Sequence, residues 1–187
     1  MKIIFLDIDG VLNSYSHTIS YIVFRITTFL HLEKLWVKIN DFRDPFDVRT
    51  FRVFLLWIII KSTGAKIVLS SSWRGGWYLP YEKCGSRMKK LKLLFEFFEI
   101  EVVGRTPRAD SGKRGEEIKQ FLKETELDID RFVIVDDESF DIKDYFNDDV
   151  FVKTSSKKQI RPFVNKSCGM KLHHVVKIIK ILNKKGN

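Results

Sequence analysis

The chain has 187 residues, of which 44% are hydrophobic, so it is long enough to bury the core of one folded domain. Its two cysteines exclude a disulfide-stapled scaffold, and its most apolar stretch, residues 51–60, is too short to cross a bilayer. The formal net charge of +9 favours anionic partners, including nucleic acid, and these features together predict a cytoplasmic protein that does not enter a membrane.

The first predicted element is a strand at residues 3–6 that runs directly into an acidic motif. Asp7 and Asp9 stand two residues apart after this strand, and Gly10 follows them. Open α/β sheets bind their ligands at the carboxyl ends of strands, and a glycine there lets the backbone turn sharply and approach a ligand. The motif therefore predicts two carboxylates at the ligand-binding edge of a sheet.

The segment at residues 14–49 departs from this pattern. It mixes aromatic and basic residues, among them Tyr21, Arg25 and Trp36, with a predicted turn at Asp44 and Pro45. It lies between the first strand and the helix that leads to the second strand. We predict a single domain of residues 1–187, in which residues 14–49 form a small cap or insertion over the strand ends.

The rest of the chain alternates apolar runs with helical patterns. Further strands are predicted at residues 66–69, 100–103, 132–135 and 150–152, and helices at residues 51–60, 88–98, 118–122 and 172–182. The strand runs are unbroken, which is typical of strands covered on both faces of a parallel sheet. We predict an α/β fold, a Rossmann-like three-layer sandwich with a mainly parallel five-stranded sheet and a cap-like insertion after strand 1.

A second acidic pair, Asp136 and Asp137, follows the predicted strand at residues 132–135. If this strand neighbours the first, three or four carboxylates converge on one pocket, where they would repel and raise one another's pKa values. A hard divalent cation resolves that conflict, and a site with few carboxylates and room for water and phosphate suits Mg²⁺. One acidic pair alone would more often cap a turn or helix, but two acidic strand ends predict a magnesium site.

At these motifs the sequence resembles the haloacid-dehalogenase-like (HAD) hydrolases, whose signature consists of four motifs. The matching residues are Asp7-Ile8-Asp9-Gly10-Val11, Ile67-Val68-Leu69-Ser70, Lys113 or Arg114, and Asp136-Asp137. Residues 69–74, 114–118 and 135–138 are similar to a compact branch that includes the phosphatase domains of RNA-repair ("Swiss Army Knife") proteins. The resemblance extends from residue 3 to about residue 182, and the segment at residues 14–49 is long for this branch.

The resemblance implies a phosphatase that works through a covalent aspartyl-phosphate. Asp7 would be the nucleophile, and Asp9 would protonate the leaving oxygen and then deprotonate the attacking water. Mg²⁺ would be held by Asp7, by the main-chain oxygen of Asp9 and by Asp136, with water completing the octahedron.

The second and third motifs imply the residues that bind phosphate. Ser70, with Ser71 as a second candidate, would donate a hydrogen bond to a phosphate oxygen. Lys113 or Arg114 would balance the charge of the phosphoryl group and of Asp7. The Arg-Gly-Glu-Glu-Ile context favours Arg114, and Lys113 stays an alternative.

Three further residues have two interpretations each. Asp137 is either a metal ligand or a helix cap, and we favour a place just outside the direct ligands. Trp73 and Arg74 either contact the substrate or pack beneath the loop after the second strand, and the sequence gives no preference.

The leading functional hypothesis is a phosphomonoesterase that acts on a nucleotide or on the end phosphate of a polynucleotide, because cations bind a nucleic-acid backbone and aromatic rings stack on bases. A phosphatase for a small phosphorylated metabolite is the alternative among enzymes. A non-catalytic nucleic-acid-binding module ranks lower, because loss of Asp7, Asp9 or the fourth motif would be its sign and all are present.

Overall fold

A central five-stranded sheet organises the protein. The computed structural model describes residues 1–13, 48–138, 140–154 and 169–184. The strands are β1 (Lys2–Leu6), β2 (Lys66–Leu69), β3 (Val102–Arg105), β4 (Arg131–Asp136) and β5 (Phe151–Lys153). All neighbours are parallel, in the order β3-β2-β1-β4-β5. The carboxyl end of the central strand β1 therefore lies between those of β2 and β4. The parallel five-stranded sheet confirms the predicted α/β fold.

Helices connect the strands and cover the sheet. They are α1 (Thr50–Thr63), α2 (Arg74–Trp77), α3 (Ser86–Phe97), α4 (Arg114–Glu124) and α5 (Leu172–Asn183), with a 3₁₀ turn at Tyr81–Lys83. The four predicted helical patterns fall on α1, α3, α4 and α5. None of the helices in the described ranges combines the length and the apolarity that a membrane crossing requires.

Two apolar clusters lie on opposite faces of the sheet, because successive side chains of a strand point to opposite sides. Ile4 and Leu6 of β1 face the larger cluster, which includes residues of α1, α3 and α5. Ile3 and Phe5 face the smaller cluster, to which α4 contributes Ile118. This arrangement gives the three layers expected from the sequence.

The third strand begins later than the sequence predicts. The sequence predicts Ile100 as the first residue of the strand, but Ile100 lies in the turn that leaves α3, where its N–H donates to the carbonyl of Phe95 at 2.7 Å. Glu99, just before it, has a left-handed φ of 52°. Ile100 is buried because this turn packs on the core, so its apolarity reflects turn packing, and the strand itself is Val102–Arg105.

The predicted cap at residues 14–49 falls almost wholly outside the described residues, and the single-domain organisation stays a prediction. The described flanks of the segment do meet. Asn13 and Val48 form an isolated antiparallel bridge, so the chain leaves and re-enters the described fold at neighbouring points near the end of β1.

Candidate active site

Asp7 stands at the carboxyl end of the central strand. Its N–H donates to the carbonyl of Val135 at 3.0 Å, which extends the pairing of β1 with β4 by one residue. The side chain of Asp7 is almost fully buried, as is that of Asp136 at the end of β4. The parallel pairing thus places the first carboxylate of each acidic motif side by side.

Three carboxylates meet at this edge of the sheet. Asp7, Asp136 and Asp137 each offer an oxygen, and these oxygens lie within 4.8 Å of one another. The convergence expected of the two acidic strand ends is therefore present. Asp137 belongs to the group through its own carboxylate, although the sequence analysis favoured a place for it just outside the direct ligands.

Burial and mutual repulsion disfavour the ionised forms of Asp7 and Asp136. Desolvation raises the pKa of Asp7 to about 6, and the positive charge of Arg114 offsets part of that effect. Desolvation and then the charge of Asp7 raise the pKa of Asp136 to about 8. Crowded, desolvated carboxylates are the oxygen donors that a hard divalent cation favours, so the donor set fits the magnesium ion that the family resemblance implies.

Arg114 is the basic residue inside the cluster. Its Nη1 lies 3.2 Å from Oδ1 of Asp7, and its Nε lies 3.8 Å from Oδ2 of Asp136. Arg114 is the first residue of α4, and its N–H donates to the Asp141 carboxylate at 2.8 Å, which anchors the start of the helix. The charges of Asp7 and Asp136 outweigh the effect of burial and raise the pKa of Arg114, so its guanidinium stays positive.

Lys113 points away from the cluster. Its Nζ lies 3.9 Å from the Asp144 carboxylate, and both side chains are about half exposed. Of the two candidates for the third motif, the structure brings only Arg114 to the carboxylates of the site.

The second strand contributes two buried serines. The N–H of Ser70 donates to the carbonyl of Leu6 at 3.0 Å, so Ser70 lies beside Asp7 in the sheet. Its hydroxyl is fully buried and has no hydrogen-bond partner among the described residues. The hydroxyl of Ser71, which accepts the N–H of Trp73 at 3.4 Å, lies near the Asp7 carboxylate and partly offsets the rise in its pKa. The Ser70 hydroxyl therefore has a donor that no described residue uses, although the serine that lines the cavity is Ser72.

Asp9 lies in the turn after β1, and hydrogen bonds hold both of its carboxylate oxygens. The indole N–H of Trp73 donates to Oδ2 at 3.0 Å, and the amide of Asn13 donates to Oδ1 at 2.7 Å. Asn13 also accepts the N–H of Gly10 at 2.8 Å, which closes the turn. Trp73 thus contacts a predicted catalytic residue. The predicted role of the Asp9 main-chain oxygen as a metal ligand stays a prediction.

Gly10 is required at its position for two reasons. Its φ is +69°, a left-handed conformation that side chains other than glycine rarely adopt. A Cβ added there would lie 2.2 Å from Cγ of Asp137, well inside van der Waals contact. The glycine therefore lets the turn that carries Asp9 pass directly over the acidic cluster.

Arg74 is buried and does not reach the cavity. Its guanidinium makes two hydrogen bonds to the Glu117 carboxylate, at 2.9 Å and 2.6 Å, and both side chains are less than a tenth exposed. Arg74 follows Trp73 and begins α2, and Glu117 lies one helical turn beyond Arg114. The pair therefore joins the start of α2, next to the Trp73 that contacts Asp9, to the helix that holds Arg114.

Glu117→Ala is expected to lower the free energy of unfolding by roughly 3–5 kcal/mol, because it leaves the buried Arg74 guanidinium without its partner. Urea denaturation of the purified variant measures the loss. Glu124→Ala removes an exposed carboxylate from the same helix and should stay within about 0.5 kcal/mol of the parent. Equal losses in the two variants would contradict the importance of the buried pair.

The site opens into a cavity of about 260 Å³. Its lining includes all three carboxylates of the cluster together with Asp9 and Arg114. The sequence motifs predict each of these residues, but they predict no role for Ser72 and Glu138, which also line the cavity, or for Asn13 and Glu117. Asn13 carried a weak signal, since asparagine commonly closes a turn next to glycine. Glu117 carried none, because nothing in the sequence pairs it with Arg74.

The comparisons with known proteins bear on the same residues. The family described as the HAD domain in Swiss Army Knife RNA repair proteins matches residues 3–161, a range that includes every residue of the site. No curated protein and no solved structure matches the chain. Because the family match covers most of the 187 residues, the chain belongs to the family of HAD domains in Swiss Army Knife RNA repair proteins and is a hydrolase of the HAD superfamily.

Proposed function

We propose that this HAD domain is a Mg²⁺-dependent phosphomonoester hydrolase that works through an aspartyl-phosphate on Asp7. The observation that carries the proposal is the position of Arg114, whose guanidinium contacts both Asp7 and Asp136 beside the cavity. One fixed cation beside three converging carboxylates suits a phosphoryl group, because the cation can bind its oxygens while the carboxylates supply a nucleophile and metal ligands.

Asp7 and Asp9 carry the two chemical steps of the proposal. A carboxylate oxygen of Asp7 forms a bond to phosphorus as the bond to the leaving oxygen breaks, and Asp9 gives that oxygen its proton. Water then attacks the phosphorus of the aspartyl-phosphate while Asp9 takes a proton from it. Phosphate leaves and Asp7 returns to a carboxylate. Acid–base catalysis of this kind contributes roughly 10²–10⁴ in rate.

The phosphoryl oxygens need donors in addition to the nucleophile. Ser70 supports this role because it lies beside Asp7 in the sheet and its buried hydroxyl has no partner among the described residues. Arg114 supplies a positive charge whose position is fixed by the start of α4. Donors fixed in advance stabilise charge that develops in the transition state, and each such donor is typically worth about 10²–10³ in rate.

Asp7, Asp136 and Asp137 would hold the magnesium ion, together with the main-chain oxygen of Asp9 that the sequence predicts. When bound, Mg²⁺ neutralises charge on the carboxylates and on the phosphoryl group. We expect phosphate release from an aryl phosphate in the presence of Mg²⁺, and loss of that release when a chelator is added. Turnover that resists the chelator would contradict the metal requirement.

The metal-free protein is expected to lose stability as the pH rises from about 4 to about 8. The pKa values of Asp7 and Asp136 are raised from 3.8 to about 6 and about 8. In this range the folded protein therefore binds more protons than the unfolded chain, and raising the pH favours unfolding. Mg²⁺ binds the deprotonated carboxylates, so the stabilisation that it provides should grow over the same range.

Thermal unfolding of chelator-treated protein, with and without added Mg²⁺ across this pH range, measures both effects. Asp136→Asn is the informative comparison, because it removes the carboxyl whose pKa is raised further. The variant should show a weaker pH dependence both of its unfolding temperature and of its stabilisation by Mg²⁺. Identical pH slopes in the variant and the parent would show that the acidic cluster does not govern them.

For the substrate, we propose the phosphate of a nucleotide or of a polynucleotide end. The net charge of +9 and the description of the family, which refers to RNA repair proteins, support this choice. A panel of 3′- and 5′-phosphorylated oligonucleotides, nucleotides and sugar phosphates tests it by released phosphate. A higher kcat/KM for a sugar phosphate than for every nucleotide substrate would point instead to a small-metabolite phosphatase.

A further inference from the structure

A group of exposed aromatic rings lies beside basic side chains after β2. The guanidinium of Arg105 lies 4.6 Å from the ring centre of Tyr78, and the ammonium of Lys89 lies 5.5 Å from that of Tyr81. Tyr78 and Tyr81 are 52% and 49% exposed, so neither ring is held in the core. We call Tyr78, Tyr81, Lys89 and Arg105 the aromatic–basic surface.

This surface lies at the same edge of the sheet as the cavity. Arg105 is the last residue of β3, and the next residue, Thr106, donates its N–H to the carbonyl of Leu69 at the end of β2. Tyr78 directly follows α2, and Trp73, just before α2, contacts Asp9. The short helix α2 thus separates Trp73, which contacts the predicted catalytic Asp9, from Tyr78 of the aromatic–basic surface.

The chain segment that carries the two tyrosines is mainly basic. Residues 78–92 contain Lys83, Arg87, Lys89, Lys90 and Lys92 but only one acidic residue, Glu82. A partner for this surface therefore carries negative charge and has flat groups that can cover the tyrosine rings. Single-stranded nucleic acid has both properties, since its phosphates bind cations and its unpaired bases stack on aromatic faces.

We propose that the aromatic–basic surface binds the single-stranded nucleotides that lead to the phosphate in the cavity. The proposal rests on the proposed phosphatase function for the placement of the end phosphate, but not for the binding itself. Bases stack on Tyr78 and Tyr81, while Arg105 and Lys89 contact phosphates. A duplex offers no free base faces at such a surface, so a single strand is the occupant.

The test measures binding without turnover. A fluorescein-labelled single-stranded oligonucleotide without a terminal phosphate is titrated with the protein, and its anisotropy is recorded. The double variant Tyr78→Ala/Tyr81→Ala is expected to bind at least roughly ten-fold more weakly, because each lost stacking contact is worth a factor of that order. Arg105→Ala should weaken binding and also reduce its dependence on salt.

Matched variants separate the surface from general effects. Tyr78→Phe/Tyr81→Phe keeps both rings and should bind like the parent. Phe97→Ala removes a ring that is 46% exposed at the end of α3, and Lys61→Ala removes a half-exposed cation near the end of α1. Both lie toward the opposite edge of the sheet, because α1 and α3 each end just before the start of a strand. Neither should change the affinity.

Two results would overturn the proposal. Equal affinity of the parent and the double alanine variant would show that the rings do not bind the strand. Equal affinity for a single strand, a duplex and an acidic peptide would show that the surface recognises charge alone. The two proposals can fail separately. If the parent protein does not hydrolyse an aryl phosphate, but the double alanine variant binds the oligonucleotide more weakly than the parent, the phosphatase proposal fails and the binding surface stands.

Discussion

Asp7→Asn is expected to reduce phosphate release by on the order of 10⁴-fold or more, because the amide cannot form the covalent intermediate. The fold should tolerate the change. In the metal-free protein, burial and the charge of Asp9 disfavour the ionised form of Asp7, and Arg114 keeps Asp136 as a partner, so a neutral isostere is tolerated. The measurement is kcat for an aryl phosphate, with circular dichroism and thermal unfolding to verify the fold.

A fluoride analogue separates covalent catalysis from simple binding. Beryllium fluoride with Mg²⁺ should inhibit the parent and raise its unfolding temperature, because the fluoride complex imitates a phosphoryl group on an aspartate. Asp7→Asn should show neither effect. Asp128→Asn, an exposed carboxylate at the opposite edge of the sheet, should behave as the parent does. Turnover that persists in Asp7→Asn would require a different nucleophile.

Arg114→Ala and Lys113→Ala are expected to differ sharply, although the two residues are adjacent. Arg114 contacts the carboxylates of Asp7 and Asp136, so its loss removes the fixed cation beside the phosphoryl group and should cost roughly 10²–10³ in kcat. Lys113 faces Asp144 on the exposed side of the helix start, and its loss should change kcat by less than about three-fold.

Arg114→Lys refines the same test. A lysine keeps the charge but cannot contact two carboxylates with one planar group, so an intermediate rate is expected. Equal, small effects of the two alanine variants would mean that neither residue supplies the cation of the third motif. An effect of Lys113→Ala on KM alone would indicate a contact with the distal part of a larger substrate.

The placement of the acidic cluster could be predicted from the sequence because it depends on local features. Each acidic pair directly follows a buried strand, and parallel strands put their carboxyl ends at one edge of the sheet. The sequence therefore anticipated Asp7 and Asp136 as neighbours. The sequence context favours Arg114 over Lys113 but leaves both open, because the choice depends on where α4 begins: Lys113 precedes the helix with an extended backbone, and Arg114 is its first residue.

The supporting contacts were not predictable, because they join distant parts of the chain. Arg74 at the start of α2 pairs with Glu117 of α4, and each looks like an ordinary surface charge in the sequence. The start of β3 was misplaced for a related reason. Ile100 is as apolar as a strand residue, and only the three-dimensional packing of the turn shows why.

The two donors on Asp9 have a consequence for how its carboxylate is aimed. The indole of Trp73 binds one oxygen and the amide of Asn13 binds the other, so the side chain is held from two sides. Trp73 immediately precedes α2, and Asn13 forms the bridge with Val48 beyond the segment at residues 14–47. The direction of the predicted acid therefore depends on two stretches of chain that lie outside the strand carrying the nucleophile.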